Sequence, residues 1–106
     1  MRHFTPTELS QYLVTASPPP VLLDVRENWE FEYCHLEGSI QIPMAQIPDR
    51  LVELDSKREI VLVCHHGIRS RQVAFYLEQH GFEQLINLDG GLERWARDVD
   101  PEMKTY

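Results

Sequence analysis

Glu59-Ile60-Val61-Leu62-Val63 runs directly into Cys64-His65-His66-Gly67-Ile68-Arg69-Ser70, and this stretch decides how the rest of the chain reads. Its first half is short, continuous and rich in β-branched residues, the pattern of a strand buried on both faces in a parallel sheet. Beyond the loop, Arg69 to His80 carries Val73, Ala74 and Leu77 at helical spacing, and Gly81 is placed to end the helix in a left-handed cap. Strand, tight loop and helix in that order form the repeating unit of an α/β fold. Such folds place ligands beyond the carboxyl ends of their strands.

The same alternation extends in both directions. Towards the N-terminus, Val21-Leu22-Leu23-Asp24-Val25 is a second apolar strand, and Ser39 to Pro43 alternates like a shorter one stopped by proline. Thr5-Pro6-Thr7-Glu8 opens a helix: Thr5 caps, Pro6 occupies the first turn and Glu8 completes a capping box. Leu9, Tyr12, Leu13 and Ala16 form its apolar face, and Ser17-Pro18-Pro19-Pro20 ends it. Residues 27–33 read as a short helix, and Ile47, Leu51 and Leu54 carry another helical face. Towards the C-terminus, Leu85 to Leu88 is a strand, Asp89-Gly90-Gly91 a turn, and Leu92, Trp95, Ala96 and Val99 a final helical face. Helical crossovers between strands require a mostly parallel sheet, so residues 1–106 are expected to form a single α/β domain, with a loosely held tail after about residue 100.

Composition removes several function classes. The chain has 106 residues, 42% apolar and 25% charged, ordinary values for a globular protein rather than a disordered one. Ten Lys and Arg against 17 Asp and Glu leave a net charge of −7, which repels polyphosphate and argues against nucleic-acid binding. No apolar run approaches a membrane span and no secretory leader is evident, so no membrane partner is expected and the chain is read as cytoplasmic. Two cysteines, Cys34 and Cys64, are a poor basis for a structural disulfide in that compartment.

The loop specifies chemistry. A turn into a helix aims backbone amides at one point, where the helix N-terminus adds partial positive charge. Gly67 lets the loop curl, and Arg69 adds a permanent cation with a planar donor fork. A cysteine at the floor of such a cradle is favoured as thiolate, the nucleophilic form. Cys64 is therefore the expected nucleophile, with His65, His66, Gly67, Ile68, Arg69 and Ser70 forming the substrate-binding loop. Asp24, Arg26 and Glu30 are expected to brace the fold, Arg26 pairing with Glu30 four residues on. His65 and His66 are expected to point to solvent. No metal site is expected, because Cys34-His35 and Cys64-His65-His66 lack the spacing of zinc ligands. No cofactor is called for.

The loop resembles the C-x-x-G-x-R-[ST] active loop of the rhodanese sulfurtransferases. Leu22-Leu23-Asp24-Val25-Arg26-Glu27 is similar to that family's L-[LI]-D-V-R-E strand end. Glu30-Phe31, Cys34 to Ser39 and Ile42-Pro43 resemble E-[FY]-x-x-G-H-I-x-G-A followed by I-P, with Cys34 where glycine is usual. Leu88-Asp89-Gly90-Gly91 and Trp95 are similar to L-x-G-G-x-x-x-W. The resemblance implies a five-stranded, mostly parallel sheet with helices on both faces. It also implies a double displacement: Cys64 takes a sulfane sulfur from a small anionic donor such as thiosulfate, holds it as a persulfide, and passes it to cyanide or to a protein or small thiol. Arg69 would bind the donor's oxyanion, and the Ser70 hydroxyl would donate towards the sulfur. Cys34 would lie at the entry end of the third strand, opposite Cys64. Two alternatives remain: a persulfide carrier or interaction domain, and a cysteine phosphatase or arsenate reductase. The latter enzymes use C-x₅-R-[ST], whereas four residues separate Cys64 from Arg69.

Overall fold

A computed structural model describes residues 1–106. Its elements are β1 (Arg2–Phe4), α1 (Pro6–Thr15), β2 (Val21–Asp24), α2 (Asn28–Tyr33), β3 (Ile40–Gln41), β4 (Ile60–Val63), α3 (Ile68–Gln79), β5 (Leu85–Leu88) and α4 (Gly91–Asp98), with 3₁₀ segments at Met44–Gln46 and Pro48–Glu53. The strands form one sheet in the order β1-β5-β4-β2-β3, and every pairing is parallel.

The continuous apolar runs are explained by where they lie. β4 is the central strand, with all four residues buried, and successive side chains enter opposite cores. Ile60 and Leu62 join Leu23, Val73, Ala74 and Leu77 beneath α3, while Val61 and Val63 join Leu9, Ile86, Leu92 and Trp95 beneath α1 and α4. Each fully buried leucine or valine here contributes roughly 1.5–3 kcal/mol. The Thr5–Glu8 capping box forms as expected: the Thr5 hydroxyl accepts from the Glu8 amide at 3.2 Å, and the Glu8 carboxylate accepts from the Thr5 amide at 2.9 Å.

Three expectations change. β1 was not anticipated, because Arg2 and His3 are polar; it is an edge strand, registered Arg2 to Ile86 and Phe4 to Leu88, and needs burial on one side only. The face carrying Ile47, Leu51 and Leu54 is 3₁₀ rather than α, broken at Arg50 (φ −120°, ψ 16°), although Ile47 is buried as its spacing implied. β3 covers only Ile40–Gln41, although the Ile42 amide still donates to the Asp24 carbonyl at 3.0 Å and the Met44 amide to the Val25 carbonyl at 2.9 Å. Tyr106, near the end of the chain, is hydrogen-bonded to Glu30 and stacked on His65 of the Cys64 loop, as described below. No helix is long and apolar enough to cross a membrane.

Candidate active site

The loop between β4 and α3 turns inward on Cys64. Gly67, at φ +90°, lets the chain reverse so that its amide donates to Cys64 Sγ at 3.0 Å, and the Ser70 amide in the first turn of α3 donates at 3.3 Å. The thiol is 1% exposed and borders the core, yet two N–H groups converge on its sulfur. A bare strand end would not produce that arrangement.

The loop is held from behind by α4. The Leu92 amide donates to the Cys64 carbonyl at 2.9 Å, and the Glu93 amide donates to the His65 carbonyl at 3.1 Å. Free N–H groups at a helix start thus engage the loop's carbonyls, leaving its own amides to face the sulfur. The approach is so close that position 91 has no room for a side chain.

Asn87 was not recognised from the sequence, although a polar residue inside Leu85-Ile86-Asn87-Leu88 is a signal in a buried strand. It is 2% exposed and accepts a hydrogen bond from the Ser70 hydroxyl at 2.6 Å. Its amide donates to the Gly67 carbonyl at 3.3 Å and to Asp89 Oδ1 at 2.8 Å. With Cys64 as the free thiol, the Ser70 hydroxyl donates to Asn87, and the thiol donates to the Ser70 oxygen at 3.3 Å. Asn87→Ala leaves the Ser70 hydroxyl without its acceptor and the Gly67 carbonyl without this donor. The expected loss is about 1–3 kcal/mol of stability, read from the urea midpoint.

The ion pairs also differ from expectation. Arg26 does not pair with Glu30. Its Nε and Nη2 donate to the Asp24 carboxylate at 2.9 and 2.7 Å, and both side chains are fully buried. Glu30 instead receives both terminal nitrogens of Arg69, at 2.7 and 2.9 Å, and this pairing holds its carboxyl down to about 2. The Glu30 oxygens also accept from the Glu27 amide at 2.9 Å and the Tyr106 hydroxyl at 2.5 Å. Arg69 thus shares both terminal nitrogens with a carboxylate, while each keeps a second N–H and the side chain is 31% exposed.

Cys34 is placed differently as well. Arg26 Nη2 donates to its carbonyl at 2.6 Å, and Nη1 lies 3.9 Å from its sulfur, so it belongs to the carboxyl edge rather than the opposite end. The reason is the shortness of β3, which meets β2 only at Leu23 and Asp24.

Tyr106 roofs this edge. Its ring stacks on His65 at 4.2 Å between centroids and meets Trp29 and Tyr33 edge-on, and its oxygen accepts from Arg26 Nη1 at 3.0 Å. His65 is consequently half-buried, not turned to solvent. Burial first, then the neighbouring His66, depresses its pKa, and its Nδ1 has no partner. His66 is exposed and meets Glu93 at 2.6 Å. His65, His66 and Glu93 each bring one ligand atom to within 4.8 Å of the others, a grouping that spacing along the chain did not reveal because Glu93 comes from α4.

Burial, and then the hydrogen bond to Glu30, push the Tyr106 phenol up to about 12. A raised phenol is kept protonated by the fold. Its stabilising contribution is intact below the ordinary value of 10.0 and is lost as pH rises towards about 12. Alkaline titration of tyrosinate absorbance should show a late step near that pH, absent in Tyr106→Phe. Loss of a step at the ordinary value of 10.0 instead would place Tyr106 in water.

The family model for the Rhodanese-like domain matches residues 5–98. The chain is 39% identical over 82 residues to the thiosulfate sulfurtransferase GlpE of Pseudomonas syringae pv. syringae, covering 77% of each protein. It is 38% identical over 77 residues to a sulfurtransferase of Allochromatium vinosum, covering 73% of this chain and 72% of that one. Other relatives are longer: the chain spans 40% of one Bacillus subtilis protein and 26% of a Mycobacterium tuberculosis one. Among solved structures, a rhodanese-like domain protein from Staphylococcus aureus superimposes with a TM-score of 0.85 at 30% identity, covering 100% of this chain and 99% of that one.

Proposed function

Since this chain belongs to the rhodanese-like sulfurtransferase family, we propose that residues 1–106 form one such domain and transfer sulfane sulfur through a persulfide on Cys64. The observation that carries the reading is the pair of amides, from Gly67 and Ser70, directed at a single buried sulfur. Hydrogen bonds preorganised around a sulfur favour its anionic forms, the attacking thiolate and the persulfide that follows.

The steps are a double displacement. The Cys64 thiolate attacks the outer sulfur of thiosulfate; the sulfur–sulfur bond breaks, and sulfite departs with the electron pair. Cys64 is left as a persulfide anion. An acceptor, cyanide in the assay or a thiol in the cell, then attacks the outer sulfur and regenerates the thiolate. No metal and no cofactor enters these steps. Asn87, Ser70 and the start of α4 hold the loop in place, while Asp24–Arg26 and Glu30–Arg69 fix the carboxyl edge around it.

The four residues between Cys64 and Arg69 favour sulfur over phosphoryl transfer, and the bidentate engagement of Arg69 by Glu30 favours it further. A phosphate ester would require that guanidinium for its own oxygens. The test sets thiosulfate with cyanide against an aryl phosphate. Thiocyanate release without phosphate release is expected; phosphate release alone would replace this reading with a phosphatase.

A further inference from the structure

The two arginines beside Cys64, Arg26 and Arg69, are each paired with a carboxylate. Arg26 is fully buried against Asp24. Arg69, the only arginine of the loop, spends both terminal nitrogens on Glu30. Glu30 is not free to swing away: it is almost completely buried, one oxygen accepts from the Glu27 amide, and the other accepts from Tyr106. Tyr106 is fixed in turn by Arg26 and by its stack on His65. Among the loop's histidines, His66 faces Glu93.

An oxyanion arriving with its sulfur therefore meets a guanidinium whose charge is already balanced by a buried carboxylate. It also approaches a chain of net charge −7, which lowers the local concentration of a dianion. The loop amides, by contrast, ask nothing of the donor except a terminal sulfur.

We propose that Glu30, locked by Tyr106, is a positioning residue that withholds Arg69 from the donor, making the site selective for hydropersulfides of thiols over oxyanion-bearing donors such as thiosulfate. This rests on the sulfur-transfer reading of Cys64 given above. The step balances without an added oxidant. The Cys64 thiolate attacks the terminal sulfur of R–S–S–H, the bond to R–S breaks, and the thiolate R–S⁻ leaves with the electron pair. It takes up the proton carried in by the persulfide, so the products are R–S–H and the Cys64 persulfide anion.

The experiment measures the rate at which Cys64 gains one sulfur, by acid quench and intact mass, with thiosulfate and with the persulfide of 2-mercaptoethanol, which carries no oxyanion, at equal concentration. In the unaltered chain the persulfide should load faster by about tenfold, the worth of one charge-assisted contact that thiosulfate is denied. Glu30→Gln releases Arg69, and the thiosulfate-to-persulfide rate ratio should rise by about tenfold, through a lower half-saturating thiosulfate concentration. Adding Arg69→Ala to Glu30→Gln should remove the gain, because the gain acts through that guanidinium. General damage to the fold lowers both rates and does not move the ratio.

Tyr106→Phe loosens Glu30 without touching its charge and should shift the ratio the same way by a smaller factor; if Glu30→Gln fails to fold, this variant decides. Equal loading from both donors in the unaltered chain, or a ratio that stays put or falls in the variants, overturns the proposal. Failure of either donor to load Cys64 at all is a different result: it removes the sulfur-transfer reading, and this proposal with it.

Discussion

Replacing Cys64 by serine is expected to abolish sulfur loading and to lower thiocyanate production by on the order of 10³-fold or more, the scale seen when a nucleophile is removed. The hydroxyl that replaces the thiol is not ionised near neutral pH and is a poor nucleophile towards divalent sulfur. Intact mass makes the expectation sharp. The unaltered chain should gain one sulfur, about 32 Da, on exposure to a donor and lose it to cyanide; the serine variant should gain none. Cys34 gives the measurement its force. It is the only other thiol, and its sulfur lies 3.9 Å from the Arg26 guanidinium, so it is not in inert surroundings. An undiminished gain in Cys64→Ser would transfer the chemistry to Cys34.

The second large effect is expected at Gly91. A Cβ there would stand 2.3 Å from the His65 carbonyl oxygen and 2.5 Å from that of Cys64, and φ is +61°. Both obstructing groups are backbone, so no rotamer change relieves the clash. Gly91→Ala must push α4 away from the loop, losing the Leu92 and Glu93 amides that hold it. A cost of about 3 kcal/mol or more follows, which lowers the thermal midpoint of a chain this size by roughly 12 °C or more. Gly38→Ala is the comparison: φ there is +81° but nothing lies within 4 Å of the added carbon, so only the conformational cost of about 1–2 kcal/mol remains. Equal losses in the two variants would show that α4 does not bear on the loop as tightly as described.

What was legible in the sequence, and what was not, divides along physical lines. β4, its loop and α3 could be read because each follows from local rules: a strand buried on both faces has to be apolar throughout, and a loop aiming amides at one point needs a glycine. The Thr5–Glu8 capping box is equally local. β1 was hidden because a polar edge strand has no periodicity to betray it; Arg2 and His3 are strand residues only because β5 offers a free edge. Pairing among charges was misjudged for a different reason. Arg26 had Asp24 and Glu30 both within reach along the chain, and spacing alone does not say which carboxylate it meets. The fold settles this by bringing Arg69 from the start of α3 onto Glu30. Tyr106 was the least accessible of all: its partners lie in α2, in the loop and just beyond β2, and nothing around residue 106 announces them.

The dependence of the loop on α4 sets an order of events during synthesis. A nascent chain that has emerged only through α3 already carries Cys64 and its loop, but without the downstream N–H groups that hold the loop in shape. The inward turn of the loop on that sulfur is thus completed late, when β5 and the helix after it dock and the Leu92 and Glu93 amides reach the Cys64 and His65 carbonyls.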